Sequence, residues 1–123
     1  MNKVKFSTNP YNINRLTQLI GLAVLENDGY YMNCCREIVK TREKTVEDLR
    51  KIGCVTIPTG TNFIFAKHPQ LTGEEIYLKL KDSGILVRYF SGEKTKDYVR
   101  ITVGTPEQMM ALTFALKKIL EAK

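Results

Sequence analysis

The sequence predicts an α+β fold: a small, mostly antiparallel sheet of about four strands with helices packed on it. Three observations carry that expectation. Apolar residues recur at helical spacing through roughly the first fifty positions. The period then shortens to two in four short runs rich in β-branched and aromatic residues. Two threonine-led capping signatures, one between those runs and one after them, start further helices. At 123 residues the chain has room for one domain. A chain of that length buries about two-thirds of its extended surface, so no disulfide or metal staple is required.

In chain order, Asn9-Pro10-Tyr11-Asn12 reads as a turn entering a helix, after which Ile13, Leu16, Leu19, Ile20, Ala23 and Val24 share one face. Asn27-Asp28-Gly29 interrupts it. A second helix is expected from about Tyr30 to Lys51, its apolar face carrying Tyr31, Cys34, Cys35, Ile38, Val39, Val46, Leu49 and Ile52, with Gly53 as the stop. Cys54 to Ile57 is the first strand candidate. Pro58 to Thr61 is a turn, and Asn62 to Ala66 a second strand with Phe63 and Phe65 on one face and Ile64 on the other. Thr72-Gly73-Glu74-Glu75 is a capping box, so a short helix should bury Ile76, Tyr77 and Leu80 and stop near Gly84. Ile85 to Tyr89 and Tyr98 to Val103 complete the strands, on either side of a polar loop at 91–96. Thr105-Pro106-Glu107-Gln108 opens the last helix, with Met109, Leu112, Leu116 and Ile119 along its stripe. The order α-α-β-β-α-β-β-α places two long helices ahead of any strand, as in a part of a larger body.

Composition narrows the function classes. Apolar residues make up 43% and charged residues 26%, the balance of a globular chain. The net charge of +6 raises nucleic acid as a partner, but the basic stretch from Arg36 to Lys51 is interleaved with Glu37, Glu43, Glu47 and Asp48, which is the pattern of a solvated helix face. Nucleic acid is therefore not an expected partner, and neither is a membrane, since no apolar run reaches the roughly 18 residues that a span needs. Cys34, Cys35 and Cys54 form neither a disulfide framework nor a zinc spacing and read as free thiols of a reducing cytoplasm. No dinucleotide, Walker-A, HExxH or CxxC motif is present, so no metal or cofactor ligands are nominated. His68, beside Pro69, reads as a surface residue. Cys34 and Cys35 read as small buried thiols, and Tyr11, Tyr30, Tyr31, Phe63 and Phe65 as core filling. Arg88 and Arg100 stand apart, because each is a permanent cation inside an apolar strand. Such a residue faces water at an edge, or is aimed at an anion that its rigid fork can hold bidentately.

Four segments, Asn9-Pro10-Tyr11-Asn12-Ile13-Asn14, Gly60-Thr61-Asn62-Phe63, Gly84-Ile85-Leu86-Val87-Arg88-Tyr89-Phe90 and Tyr98-Val99-Arg100-Ile101-Thr102-Val103-Gly104-Thr105, occur in this order and at about this spacing in one family. The chain resembles the C-terminal, small domain of class I/II, fold-type I pyridoxal-phosphate aminotransferases. Within that class the histidinol-phosphate aminotransferases are most similar, and the threonine-phosphate decarboxylases are a close relative. The resemblance covers nearly all of residues 1–123, with 1–14 as the interdomain entry segment.

The resemblance implies roles. Arg100 matches the family's anion anchor, which pairs with the carboxylate of the amino-acid substrate, and Arg88 an arginine that helps hold the second anionic group, the phosphate of histidinol phosphate or the distal carboxylate of glutamate. Tyr11 and Asn12 match a segment entering near the site, while Asn62 is expected to tie strand and turn together through its side chain. No residue here is implied to be catalytic. The Schiff-base lysine, the aspartate under the pyridine nitrogen and the phosphate cup belong to a large domain that precedes this segment in the family and is absent from this sequence. Pyridoxal phosphate is thus implied for the parent enzyme, with none bound covalently to this chain, which alone would be inactive. The implied partners are that large domain, a small anionic substrate (histidinol phosphate, or glutamate and 2-oxoglutarate) and, for the parent, a second copy in a homodimer. Helices that pack on the large domain in the family predict self-association of the isolated chain. The alternative of another class is a stand-alone module for a small anion or a nucleic acid.

Overall fold

The structure, a computed structural model, describes residues 13–122. It divides between Cys34 and Cys35 into two compact units. Tyr11 and Asn12, both expected near the site, lie outside the described residues.

The first unit holds helix α1, Arg15–Glu26, and the start of α2, Asp28–Lys51. Asn14 caps α1, its Oδ1 accepting from the Thr17 amide at 2.9 Å and from the Thr17 hydroxyl at 3.1 Å. Asn27 closes it, donating its backbone N–H to the Ala23 and Val24 carbonyls and its side-chain amide to Ala23 O at 2.8 Å. Helix α2 therefore starts at Asp28 rather than Tyr30, and an acidic first residue suits the positive end of the helix dipole. No residue of α1 is buried. Leu16, Leu19, Ile20, Leu22 and Leu25 are all more than half exposed. The rings of Tyr30 and Tyr31 meet edge to face at 5.2 Å and are exposed, which corrects their assignment to the core.

The second unit carries the rest of α2, then β1 (Val55–Ile57), β2 (Phe63–Lys67), α3 (Gly73–Asp82), β3 (Arg88–Tyr89), β4 (Val99–Thr102) and α4 (Pro106–Glu121). The strands form one antiparallel sheet in the order β1-β2-β4-β3, so β1 and β3 are the edges. Both capping boxes form. Thr72 Oγ1 accepts from the Glu75 amide while Glu75 accepts from the Thr72 amide, and Thr105 and Gln108 repeat the arrangement with Pro106 in the first turn. Gly53 and Gly84 end their helices at φ +87° and +78°, a region that side chains with a Cβ rarely enter.

The period-two pattern decides which face of the sheet meets the helices. Ile64 and Ala66 of β2 pair with Ile101 and Val99 of β4, and all four are buried. Leu49 from α2, Ile76 and Leu80 from α3, and Met109, Leu112 and Leu116 from α4 complete that core with Val103, Leu71 and Cys54. Phe63, Phe65, Arg100 and Thr102 point the other way.

Two expectations fail along α2. Its buried positions are Thr41, Thr45 and Leu49, spaced four apart, with the Thr45 hydroxyl donating to the Thr41 carbonyl at 2.7 Å. Cys34 and Cys35 are exposed, because the stripe that packs on the core begins only at Ile38. Burial falls instead on Cys54, whose thiol it pushes up to about 11. Iodoacetamide at pH 8 should thus modify Cys34 and Cys35 readily and Cys54 only on unfolding, as peptide mass mapping would report.

Gly73 has a different constraint. A Cβ there would stand 2.6 Å from the Lys96 carbonyl oxygen and 2.8 and 2.9 Å from backbone atoms of Tyr98. Those atoms belong to the segment leading into β4, so they cannot yield as a flexible side chain would. Gly73→Ala should destabilise by about 2 kcal/mol or more, measurable by urea denaturation. Among the described residues no helix is long and apolar enough to cross a membrane, and no group of three His, Cys, Asp or Glu could hold a metal.

Candidate functional site

The sheet face opposite the helices carries the two arginines. Arg100 lies on an inner strand and is half-buried. Arg88 lies on the edge strand and is exposed. The register sets them directly opposite one another across β3 and β4, while Phe65 of β2 stands opposite Arg100 on its other side. Directly paired residues share a face with Cβ atoms about 5 Å apart, and like charges there repel. Among the described residues no carboxylate pairs with either arginine; the ion pairs present are Lys44–Asp48, Lys51–Asp48 and Lys117–Glu121.

Aromatic rings hold these cations. The Arg100 guanidinium lies 4.3 Å from the centre of the Phe63 ring and 5.5 Å from that of Phe90, and the Arg88 guanidinium lies 5.4 Å from the same Phe90 ring. Phe90 stacks nearly parallel on Phe65, 8° apart with centroids at 6.4 Å, and Phe65 also meets Tyr98 at 6.0 Å. Phe63 and Phe65 are only half-buried on the face away from Ile64 and Ala66, which corrects their reading as core filling; they form the bed on which Arg100 rests.

A cavity of about 270 Å³ opens beside this bed, lined by Ile57, Pro58, Thr59, Thr61, Phe63, Phe65 and Arg100. Its wall is a braced turn. The hydroxyls of Thr59 and Thr61 bond at 2.9 Å, Thr59 Oγ1 accepts from the Thr61 amide, and Thr61 Oγ1 accepts from the Phe63 amide. Arg42 of α2 donates to the Thr61 carbonyl at 2.7 Å. Asn62 serves through its backbone, its carbonyl accepting from the Val103 amide at 2.9 Å, so the strand and turn are tied there by main chain rather than by the expected side chain. Arg100 Nε is shielded from solvent and makes no hydrogen bond within the described residues. With no acceptor for its fork among the described residues, and a mostly apolar cavity beside it, Arg100 has the geometry that can take a carboxylate or phosphate.

His68 is half-buried, its Nδ1 accepting from the Gln70 amide at 3.2 Å, and it does not line this cavity. Phe63, Phe90, Thr61 and Arg42 are the residues that pattern reading did not connect to the site. Once Ile64, Val99 and Ile101 are taken as core, alternation alone puts Phe63, Phe65 and Arg100 on the opposite face. The pairing register that makes them neighbours is visible only in the structure.

No family model matches the sequence. Curated relatives do. The histidinol-phosphate aminotransferase of Marinomonas sp. (strain MWYL1) is 44% identical over 121 residues, covering 97% of this chain, and that of Clostridium botulinum (strain Okra) is 38% identical over 120 residues. The chain spans about a third, 34%, of the length of each. Among solved structures, the histidinol-phosphate aminotransferase of Clostridium acetobutylicum superposes with a TM-score of 0.80 at 25% identity, over 99% of this chain and 38% of that one. The enzyme from Sinorhizobium meliloti, solved with pyridoxal-5'-phosphate, superposes with a TM-score of 0.80 at 19% identity and shares the fold. By sequence and by fold, the chain is a small-domain part similar over nearly its whole length to histidinol-phosphate aminotransferases, of whose length it spans about a third.

Proposed function

We propose that this chain is the substrate-anchoring domain of a pyridoxal-phosphate aminotransferase that moves an amino group between L-histidinol phosphate and 2-oxoglutarate, with Arg100 as the anion grip. One observation carries the reading: the Arg100 guanidinium has no acidic partner among the described residues, rests on Phe63 at the edge of an apolar cavity, and faces a second arginine across the strand pair. The kinship with histidinol-phosphate aminotransferases supports the choice of substrates. Histidinol phosphate carries a phosphate, and 2-oxoglutarate a distal carboxylate, remote from the carbon that gives up or receives the amino group. Gripping that anion orients the reacting carbon, and energy from the remote contact is spent on position rather than on mere affinity.

The cofactor fits poorly on this chain's residues. Pyridoxal phosphate is held through an amine, and none lines the cavity. Lys67, on the same face, has its ammonium seated over the Tyr98 ring at 5.1 Å. We therefore place the cofactor, its lysine and the homodimer contact on the part of a longer polypeptide that corresponds to the other two-thirds of the relatives. In this reading residues 1–14 are the interdomain entry, Tyr11 and Asn12 approach the substrate from it, and the enzyme works in the cytoplasm. The exposed leucines and isoleucines of α1 are covered in the whole protein. Alone, the chain catalyses nothing and self-associates, which light scattering would register as a mass above the monomer that rises with concentration.

The test is a chimera in which this chain replaces the matching third of the Marinomonas enzyme. The expected result is a soluble protein that binds pyridoxal phosphate and transaminates histidinol phosphate with 2-oxoglutarate. A folded, cofactor-loaded chimera that acts on a different amine and ignores histidinol phosphate would overturn the substrate assignment.

A further inference from the structure

Arg100 and Arg88 are held differently. Arg100 has two rings, Phe63 at 4.3 Å and Phe90 at 5.5 Å, and sits half-buried on an inner strand. Arg88 is exposed on a two-residue edge strand, and its aromatic neighbour is Phe90. Phe90 follows that strand directly and is fixed from behind: its ring stacks on Phe65, and its carbonyl accepts from the Thr95 hydroxyl at 3.3 Å. Left to itself, a long cation opposite another cation swings toward water, because repulsion and side-chain entropy both favour the swing. The negative face of an aromatic ring opposes it.

We propose that Phe90 is a positioning and specificity-determining residue of the anion site. Its ring, shared by both guanidinium groups, keeps Arg88 beside Arg100 so that two forks face one ligand and a doubly charged group is favoured over a singly charged one. Arg100, with Phe63 beneath it, is enough for a carboxylate. The second fork adds to binding in proportion to the charge it meets, so the residue that holds it sets the preference for phosphate over carboxylate. The inference rests on the anchoring role of Arg100 and assigns Phe90 a part in it that the identity of the two arginines does not.

The test uses this 123-residue chain, with inorganic phosphate and acetate as probes at pH 8, where phosphate is a dianion. Arginine side-chain NMR signals report binding. In Phe90→Leu the ratio of phosphate to acetate affinity should fall about three- to fivefold, the effect of one exposed cation–ring contact. Phe90→Tyr, which keeps the ring over both guanidinium groups, should restore the ratio. Arg88→Ala should lower it, and Phe90→Leu added to Arg88→Ala should lower it no further. A drop in Phe90→Leu that is equal for both anions, or one that adds in full to that of Arg88→Ala, would overturn the role of Phe90. So would the absence of phosphate-dependent shifts in wild type up to about 100 mM, since two forks at one site should reach millimolar affinity. Arg100→Ala separates the two levels: if it abolishes binding of both anions while Phe90→Leu changes nothing, anchoring stands and the role of Phe90 falls. If Arg100→Ala changes neither anion, the anchoring reading itself fails.

Discussion

Arg100→Ala in the chimera should lower kcat/KM for histidinol phosphate and for 2-oxoglutarate alike, by about 10²- to 10³-fold, equivalent to about 3–4 kcal/mol of lost transition-state binding. The size follows from where the group sits. A cation half-sheltered on Phe63, with no acceptor among the described residues, would make charge-assisted bonds to an anion in a setting drier than open water. Arg100→Lys keeps the charge but loses the planar fork, and should recover only part of the loss. Stability separates this role from a structural one. Alanine removes a cation opposed by Arg88 across the strand pair, so the melting temperature should hold or rise slightly while activity collapses. Steady-state kinetics with thermal melts on the same samples would check both. A kcat/KM within threefold of the parent chimera would mean that the substrate anion is gripped elsewhere.

Leu49→Ala should cost about 2–5 kcal/mol and lower the melting temperature of this chain by about 10–25 °C. Leu49 is fully buried. It packs the C-terminal half of α2 into the core formed by the sheet, α3 and α4. The same helix supplies Arg42, which braces the turn at Thr61, so loosening α2 should also soften the wall of the cavity beside Arg100. Leu25→Ala is the control. Leu25 is 75% exposed on α1, and its truncation should change stability by no more than about 0.5 kcal/mol. Chemical denaturation of the three proteins would rank them; equal midpoints for Leu49→Ala and wild type would contradict the placement of α2 in the core.

Much of this architecture was legible in the residues. The element order, the two capping boxes, the glycine stops and the alternation in β2 and β4 all rest on local chemistry, which a sequence displays. Strand lengths were less so. Ile85 to Val87 read as strand, yet only Arg88 and Tyr89 pair with β4, because pairing depends on a partner's reach and not on β-branching alone. The face of α2 was misread for a related reason. Tyr31, Cys34 and Cys35 keep the helical period with Ile38, but period marks a stripe without saying how far the core extends along it.

The site was half visible. An arginine inside an apolar strand is anomalous in any sequence, and both Arg88 and Arg100 could be singled out on that ground. Their pairing across β3 and β4, the Phe63 bed and the shared Phe90 ring come from register and tertiary packing, which no spacing encodes.

If the cofactor lysine lies outside this chain, pyridoxal phosphate should find no specific amine on it. The purified chain would be mixed with pyridoxal phosphate, followed by visible absorption before and after borohydride reduction, and mapped by mass spectrometry. The expected result is no stoichiometric, site-specific lysine adduct, because no lysine lines the cavity beside Arg100. A single lysine trapped in full would contradict the account and place the carbonyl chemistry on this chain itself.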